Sequence, residues 1–85
     1  MKIYYATQFV KHFERIPHRL QIETAQQEAI FKRNPEDLSL KTHYLKGKLT
    51  GLAAFSIDYH YRILIKFEPD GSVTFLDIGT HHLYR

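Results

Sequence analysis

Residues 61–79 read YRILIKFEPDGSVTFLDIG, two strand-forming runs on either side of PDGS. Branched and aromatic side chains dominate both runs. Asp70-Gly71 suits the positive backbone angles of a tight hairpin turn. In the first run the side chains alternate: Ile63, Ile65 and Phe67 fall on one face, and Arg62, Leu64 and Lys66 on the other. Such a strand keeps one side in a core and leaves the other to water or a ligand, as in a sheet covered on one face only.

The rest of the chain supplies the cover. Residues 2–6 (KIYYA) read as a short aromatic strand. Thr7 is placed to cap a helix carrying Phe9, Val10 and Phe13, with Ile16 three residues on. Pro17 ends that helix and starts a second, which runs to about Arg33 with Leu20, Ala25, Ile30 and Phe31 among its buried positions. NPED, at 34–37, stops it. The segment 43–51 carries Gly47 and Gly51 and reads as a strand running into a turn or bulge. Strands follow at 52–59, at 61–68 (the central one) and at 73–81. This order predicts an α+β domain spanning 1–85, an antiparallel sheet with a two-helix hairpin packed on one face. There is no internal repeat, linker or low-complexity stretch.

Composition narrows the function. There are no cysteines, so neither a disulfide framework nor a thiolate zinc site is available. No apolar run resembles a signal peptide or approaches the roughly 20 residues that span a bilayer, which predicts a cytoplasmic protein with no membrane partner. Lys and Arg number 12 against 9 for Asp and Glu, a net charge of +3 that suits a nucleic-acid or acidic partner.

The chemically capable side chains fall in three places. His43 enters the second strand, followed by Lys46 and Lys48. Arg62 sits in the dense central run. His81 and His82 follow the last strand, with Tyr84 and Arg85 behind them. A meander brings these groups together, with Arg62 and Lys66 on the open face. The set suits RNA backbone cleavage: a base takes the 2′ proton, an acid protonates the leaving 5′ oxygen, and a cation offsets the charge growing on phosphorus. Tyrosine stacks on a base or bonds to phosphate. No cofactor or metal is required. The adjacent His81 and His82 would point to opposite faces of a strand, and no carboxylate cluster completes a metal site. His12, His18 and His60 read as solvated surface residues.

The segment from Thr42 to Arg85 resembles the RelE/ParE superfamily of bacterial toxins, and is most similar to the RelE and YafQ-like mRNA interferases. The elements are H-x-L-x-G (His43, Leu45, Gly47), Y-R-I-L-I from Tyr61 to Ile65, and I-G-T-H from Ile78 to His81 followed by Tyr84. Upstream, F-x-K-x-F-x-x-I-P from Phe9 to Pro17 and the N-P after the second helix extend the likeness over nearly the whole chain. The resemblance implies a β-α-α-β-β-β fold and a toxin that cuts mRNA in the ribosomal A site. It also implies a cognate antitoxin that covers the active surface in a hetero-oligomer, so that ribosome, mRNA and antitoxin are the partners. YafQ-like members have histidines where His43 and His81 stand. RelE-like members have an arginine where Arg62 stands and a tyrosine near the C-terminus, where Tyr84 would serve. The resemblance therefore implies His43, Arg62, His81 and Tyr84 as catalytic, with Lys46, Lys48, Lys66 and His82 on the RNA. Where the YafQ-like pattern has an aspartate before the central strand, this chain has Tyr61, with Asp58 a few residues earlier. Two other readings share the fold: a ParE-like inhibitor of DNA gyrase, and an inactive module that only binds antitoxin.

Overall fold

Ile63 and Ile65 are fully buried and Lys66 is exposed, as the alternation in RILIKF predicts, but Leu64 is buried as well and Phe67, at the strand's end, is 38% exposed. The computed structural model describes residues 1–84, without the side chain of Tyr84. Its elements are β1 (Ile3–Tyr5), α1 (Thr7–Phe13), α2 (His18–Arg33), β2 (His43–Tyr44), β3 (Leu52–Ser56), β4 (Arg62–Phe67) and β5 (Val73–Gly79). Short 3-10 turns occupy Leu38–Leu40, Gly47–Leu49 and His81–Tyr84. Among the described residues no helix is long and apolar enough to cross a membrane.

The five strands lie in the order β1-β5-β4-β3-β2, with β4 at the centre. Strands β2 to β5 form an antiparallel meander, but β1 runs parallel to β5, pairing Ile3 with Val73 and Tyr5 with Phe75. The sheet is thus mixed where the sequence predicts an antiparallel one. The reason is topological: β1 meets the last strand, and everything between them acts as the long crossover that a parallel pair requires. Leu64 faces Asp77 and Ile65 faces Phe75, which leaves Leu76 as the extra residue of a β-bulge.

Both helices pack on one side through an aromatic cluster. Phe31 of α2 stacks on Phe55 of β3 at 4.8 Å between ring centres. Phe75 of β5 meets Phe9, Phe31 and Phe55 edge-on, at 5.6, 5.8 and 5.7 Å. Leu20 and Phe31 are buried as expected, but Ala25 is exposed and Thr24 is buried in its stead. The Thr24 hydroxyl donates to the Leu20 carbonyl at 2.7 Å, so burying it leaves no unpaired group. The cap of α1 falls on Ala6, and Thr7 is the first helical residue. At the β4–β5 hairpin, Gly71 has φ 90° and Asp70 accepts hydrogen bonds from the Ser72 hydroxyl and backbone N–H.

Truncating Phe75 to alanine removes the ring that links both helices to the sheet. The cost is about 3–5 kcal/mol, against a total of about 4–13 kcal/mol for a chain of this length. Urea unfolding of Phe75→Ala measures it. A second contact, between the Tyr5 hydroxyl and the Glu28 carboxylate, ties β1 to α2. Burial, helped by the bond to Glu28, pushes the Tyr5 phenol up from 10.0 to about 12. A raised value means that the fold favours the neutral phenol. Its stabilisation is complete below pH 10 and is lost as the pH climbs through about 12. Tyr5→Phe is expected to cost about 0.5–1 kcal/mol at neutral pH and to remove that part of the alkaline loss, as read by unfolding at pH 7 and pH 11.

Candidate functional site

Cross-strand partners in a sheet point to the same side. Arg62 is partnered by Ser56 on one side and by Gly79 on the other. Ala54 is partnered by His43 and by Leu64. These positions, with Leu52, Lys66 and Thr74, form the sheet face turned away from the helices. Ala54 and Leu64 are its buried floor, and His43 and Arg62 stand at its margins.

Strand β2 is two residues long, because the chain leaves the sheet after Tyr44 for the 3-10 turn at Gly47–Leu49. The sequence predicts a strand running into a turn or bulge over 43–51, and the structure has one, though the strand is brief: Leu45 donates its N–H to the Leu52 carbonyl at 2.9 Å and Gly47 then takes φ 67°. His43 is exposed, and its Nδ1 lies 3.5 Å from the Lys41 carbonyl oxygen, the outer limit of a hydrogen bond. Two strands across and two residues along put the Cα atoms of His43 and Arg62 about 12 Å apart. Lys46 and Lys48 are exposed on the loop that follows.

The last strand also stops short of expectation. It ends at Gly79, and residues 81–84 form a 3-10 turn in which Leu83 N–H donates to the Thr80 carbonyl. A Cβ on Gly79 would point to the Arg62 side of the sheet, and there it would meet Leu83 Cδ2 at 3.4 Å. The turn that carries His81 therefore folds back so that Leu83 lies against Gly79, the cross-strand partner of Arg62. The rings of His81 and His82 stack at 4.8 Å, instead of pointing to opposite faces as they would on a strand. His82 lines a hollow of about 440 Å³ with His12, Tyr61 and Asp77. Within it His12 Nδ1 lies 2.6 Å from an Asp77 oxygen, tying α1 to β5. The Tyr84 side chain lies outside the described residues.

Lys66 lies on the open face with Arg62, as the alternation predicts, and Asp58 lies in the β3–β4 turn. Lys66 is four positions from Arg62 on β4, about 13 Å away, and its ammonium sits 3.8 Å from Glu68. Asp58 accepts the backbone N–H groups of His60 and Tyr61 at 2.9 and 2.8 Å, so it organises the β3–β4 turn. Arg62 donates to the Tyr59 carbonyl at 3.3 Å and lines a hollow of about 300 Å³ at the end of the β3–β4 hairpin. Lys41 and Tyr59 line it too, and sequence reasoning passed over both. The signals for them are thin: a lysine two residues before His43, and a tyrosine in a turn. Among the described residues no group of three His, Cys, Asp or Glu side chains is placed to hold a metal ion. The arrangement offers imidazoles and cations on one wet face, which is the equipment for binding and cleaving a phosphodiester.

No protein-family model and no curated protein matches the sequence. Solved structures do match. A YoeB/ParE toxin from Agrobacterium tumefaciens is 20% identical, with a TM-score of 0.81 over 95% of this chain and 99% of that one. YafQ from Escherichia coli is 20% identical, with a TM-score of 0.79 over 96% and 94% of the two chains. A RelBE toxin–antitoxin complex from Mycobacterium tuberculosis gives 16% identity and a TM-score of 0.78 over 94% and 96%. The chain has the α+β fold of the RelE/ParE toxins.

The packing of the C-terminal turn gives a direct prediction. Alanine at Gly79 meets Leu83 at ordinary contact distance and is tolerated. The second and third carbons of valine have no such room, and Gly79→Val is expected to unseat the turn at a cost of about 1–3 kcal/mol. NMR signals of His81 and His82 report this. They shift strongly in Gly79→Val and little in Gly79→Ala, while signals of the aromatic cluster stay in place in both.

Proposed function

We propose that this chain is the toxin of a type II toxin–antitoxin pair, and that its open sheet face is a metal-independent endoribonuclease acting on translated mRNA in the ribosomal A site. The observation that carries this reading is the sheet face shared by His43 and Arg62 and turned away from the helices, with the turn that carries His81 folded back onto Gly79, the cross-strand partner of Arg62. One of the two histidines takes the proton from the 2′-OH, and the freed oxygen attacks the adjacent phosphorus. The bond from phosphorus to the 5′ oxygen breaks, and the other histidine gives that oxygen its proton. The products are a 2′,3′-cyclic phosphate and a 5′-hydroxyl. Arg62 holds the non-bridging oxygens as their charge grows. Tyr84 orients the nucleotide, and Lys46, Lys48, Lys66 and His82 contact the flanking RNA.

The partners follow from the same reading. Several structural neighbours were crystallised as toxin–antitoxin complexes, among them RelE–RelB from Pyrococcus horikoshii and DinJ–YafQ from Escherichia coli. A cognate antitoxin covers this chain's open face in a hetero-oligomer, and the protein works in the cytoplasm, where ribosomes are. The neighbour titled YoeB/ParE keeps a gyrase inhibitor as the second reading. A gyrase binder has no use for a proton-transfer pair, which favours the ribonuclease.

Purified protein added to a cell-free translation reaction is expected to truncate the message. His81→Ala lowers the rate by about 10²–10⁴-fold if His81 moves a proton. Arg62→Ala lowers it by about 10²–10³-fold, the scale of losing one group that stabilises transition-state charge. Circular dichroism confirms that both variants fold. Cleavage at the normal rate by His81→Ala contradicts its role. An intact message with lost DNA supercoiling turns the assignment to gyrase, and an intact message with normal supercoiling turns it to an inactive antitoxin-binding module.

A further inference from the structure

The hollow at the end of the β3–β4 hairpin shares only Arg62 with the cleavage chemistry above, and its lining is unusual. Lys41 reaches it from the connection after α2, and Arg62 from β4. Lys41 adopts φ 50° and ψ 43°, and is the sole residue other than glycine with positive φ among the described residues. That left-handed conformation is rare for a lysine, since its Cβ crowds the following carbonyl. Asparagine or glycine would sit there more easily. Strain of this kind concentrates at functional sites. Here one residue does two things: its carbonyl approaches His43 Nδ1, and the residue lines the hollow.

The charge in the hollow is unbalanced. Lys41 and Arg62 face a single carboxylate, Asp58, one oxygen of which is occupied by two backbone N–H groups. None of the ion pairs among the described residues involves Lys41 or Arg62. Tyr59 completes the rim. It is 84% exposed at the tip of the turn, its ring edge-on to His60 at 4.9 Å. An aromatic ring beside two cations is the minimal equipment of a single-stranded RNA subsite, the base stacking on the ring and the phosphate resting on the cations.

We propose that Lys41, Arg62 and Tyr59 form a nucleotide subsite for single-stranded RNA next to the cleavage position, with Arg62 shared between the two. Lys41 holds the neighbouring phosphate and Tyr59 stacks on the base. Both are positioning residues: they align the strand across His43 and His81 and take no proton. The proposal rests on the ribonuclease reading for its place beside a cut, but binding in the hollow can be tested without cleavage.

The probe is a 2′-O-methyl RNA hexanucleotide, which lacks the attacking hydroxyl. Its affinity for the purified chain is measured by fluorescence anisotropy over a range of salt. Lys41→Gly accepts the left-handed backbone and removes the ammonium, so it is expected to melt no lower than the wild type. Its affinity should fall about 5–10-fold, and the slope of log affinity against log salt by about 0.7, the signature of one lost phosphate contact on a single strand. Lys41→Arg restores both. Tyr59→Ser weakens binding about 5–100-fold through lost stacking and leaves the salt slope unchanged. Unchanged affinity and slope in Lys41→Gly overturn the subsite even if the wild type cuts mRNA, as does a wild type that does not bind the probe. If binding depends on Lys41 and Tyr59 in a protein that cuts no message, the subsite is upheld and the ribonuclease reading fails.

Discussion

The contact of Phe75 with Phe9, Phe31 and Phe55 is the constraint on which the rest depends. It joins one ring from each helix to one from each of two strands, and so fixes which side of the sheet faces inward. Side chains in a strand alternate, so a slip of one residue would move every inward group outward. In β4 that slip would drive Arg62 and Lys66 into the core and expose Ile63 and Ile65. Burying unpaired cations costs several kcal/mol, far more than the domain can spare. The register is therefore locked by the covered face, and the composition of the open face follows from that lock. His43 and Arg62 share a side because Ala53, Phe55, Ile63 and Ile65 need the other one.

Sequence made this inner logic legible wherever one residue type has one physical use. The alternation in RILIKF predicted the buried face, and PDGS predicted the β4–β5 turn, because only a few residues accept those backbone angles. Legibility failed where local preference and tertiary contact compete. How soon the strand at His43 gives way to its turn was not legible: its pairing with β3 ends at the bond from Leu45 to Leu52, and the Gly47 turn then takes the chain out of the sheet. The last strand stops at Gly79 because the Leu83 side chain folds back onto that glycine, a contact that no periodicity announces. Thr24 takes the buried place expected of Ala25 because a helix carbonyl can satisfy its hydroxyl. The parallel pairing of β1 is a matter of topology, which a three-residue strand does not encode.

The site itself was half readable. The residue types were visible, and so was the open face that carries Arg62. Two things were hidden. One is the path of the C-terminal turn, which lays His81 and His82 ring on ring beside the end of β5. The other is the backbone of Lys41, whose left-handed conformation depends on the 3-10 turn before it. Both are connections, and connections are where rigid scaffolds carry function. This sheet supplies the floor, Ala54 and Leu64, while loops and turns bring most of the polar groups to its margins. A surface so open and so rich in cations is suited to a long polyanion, and equally to a protein partner that must cover it.

The most direct test maps the 5′ ends of a reporter mRNA by primer extension after a short pulse of expression of this chain. A copy of the same message lacking its start codon is mapped beside it. The account predicts breaks within the reading frame of the translated message and none in the untranslated copy. An intact translated message in a growth-arrested culture would contradict it, and breaks in both messages would contradict the requirement for the ribosome.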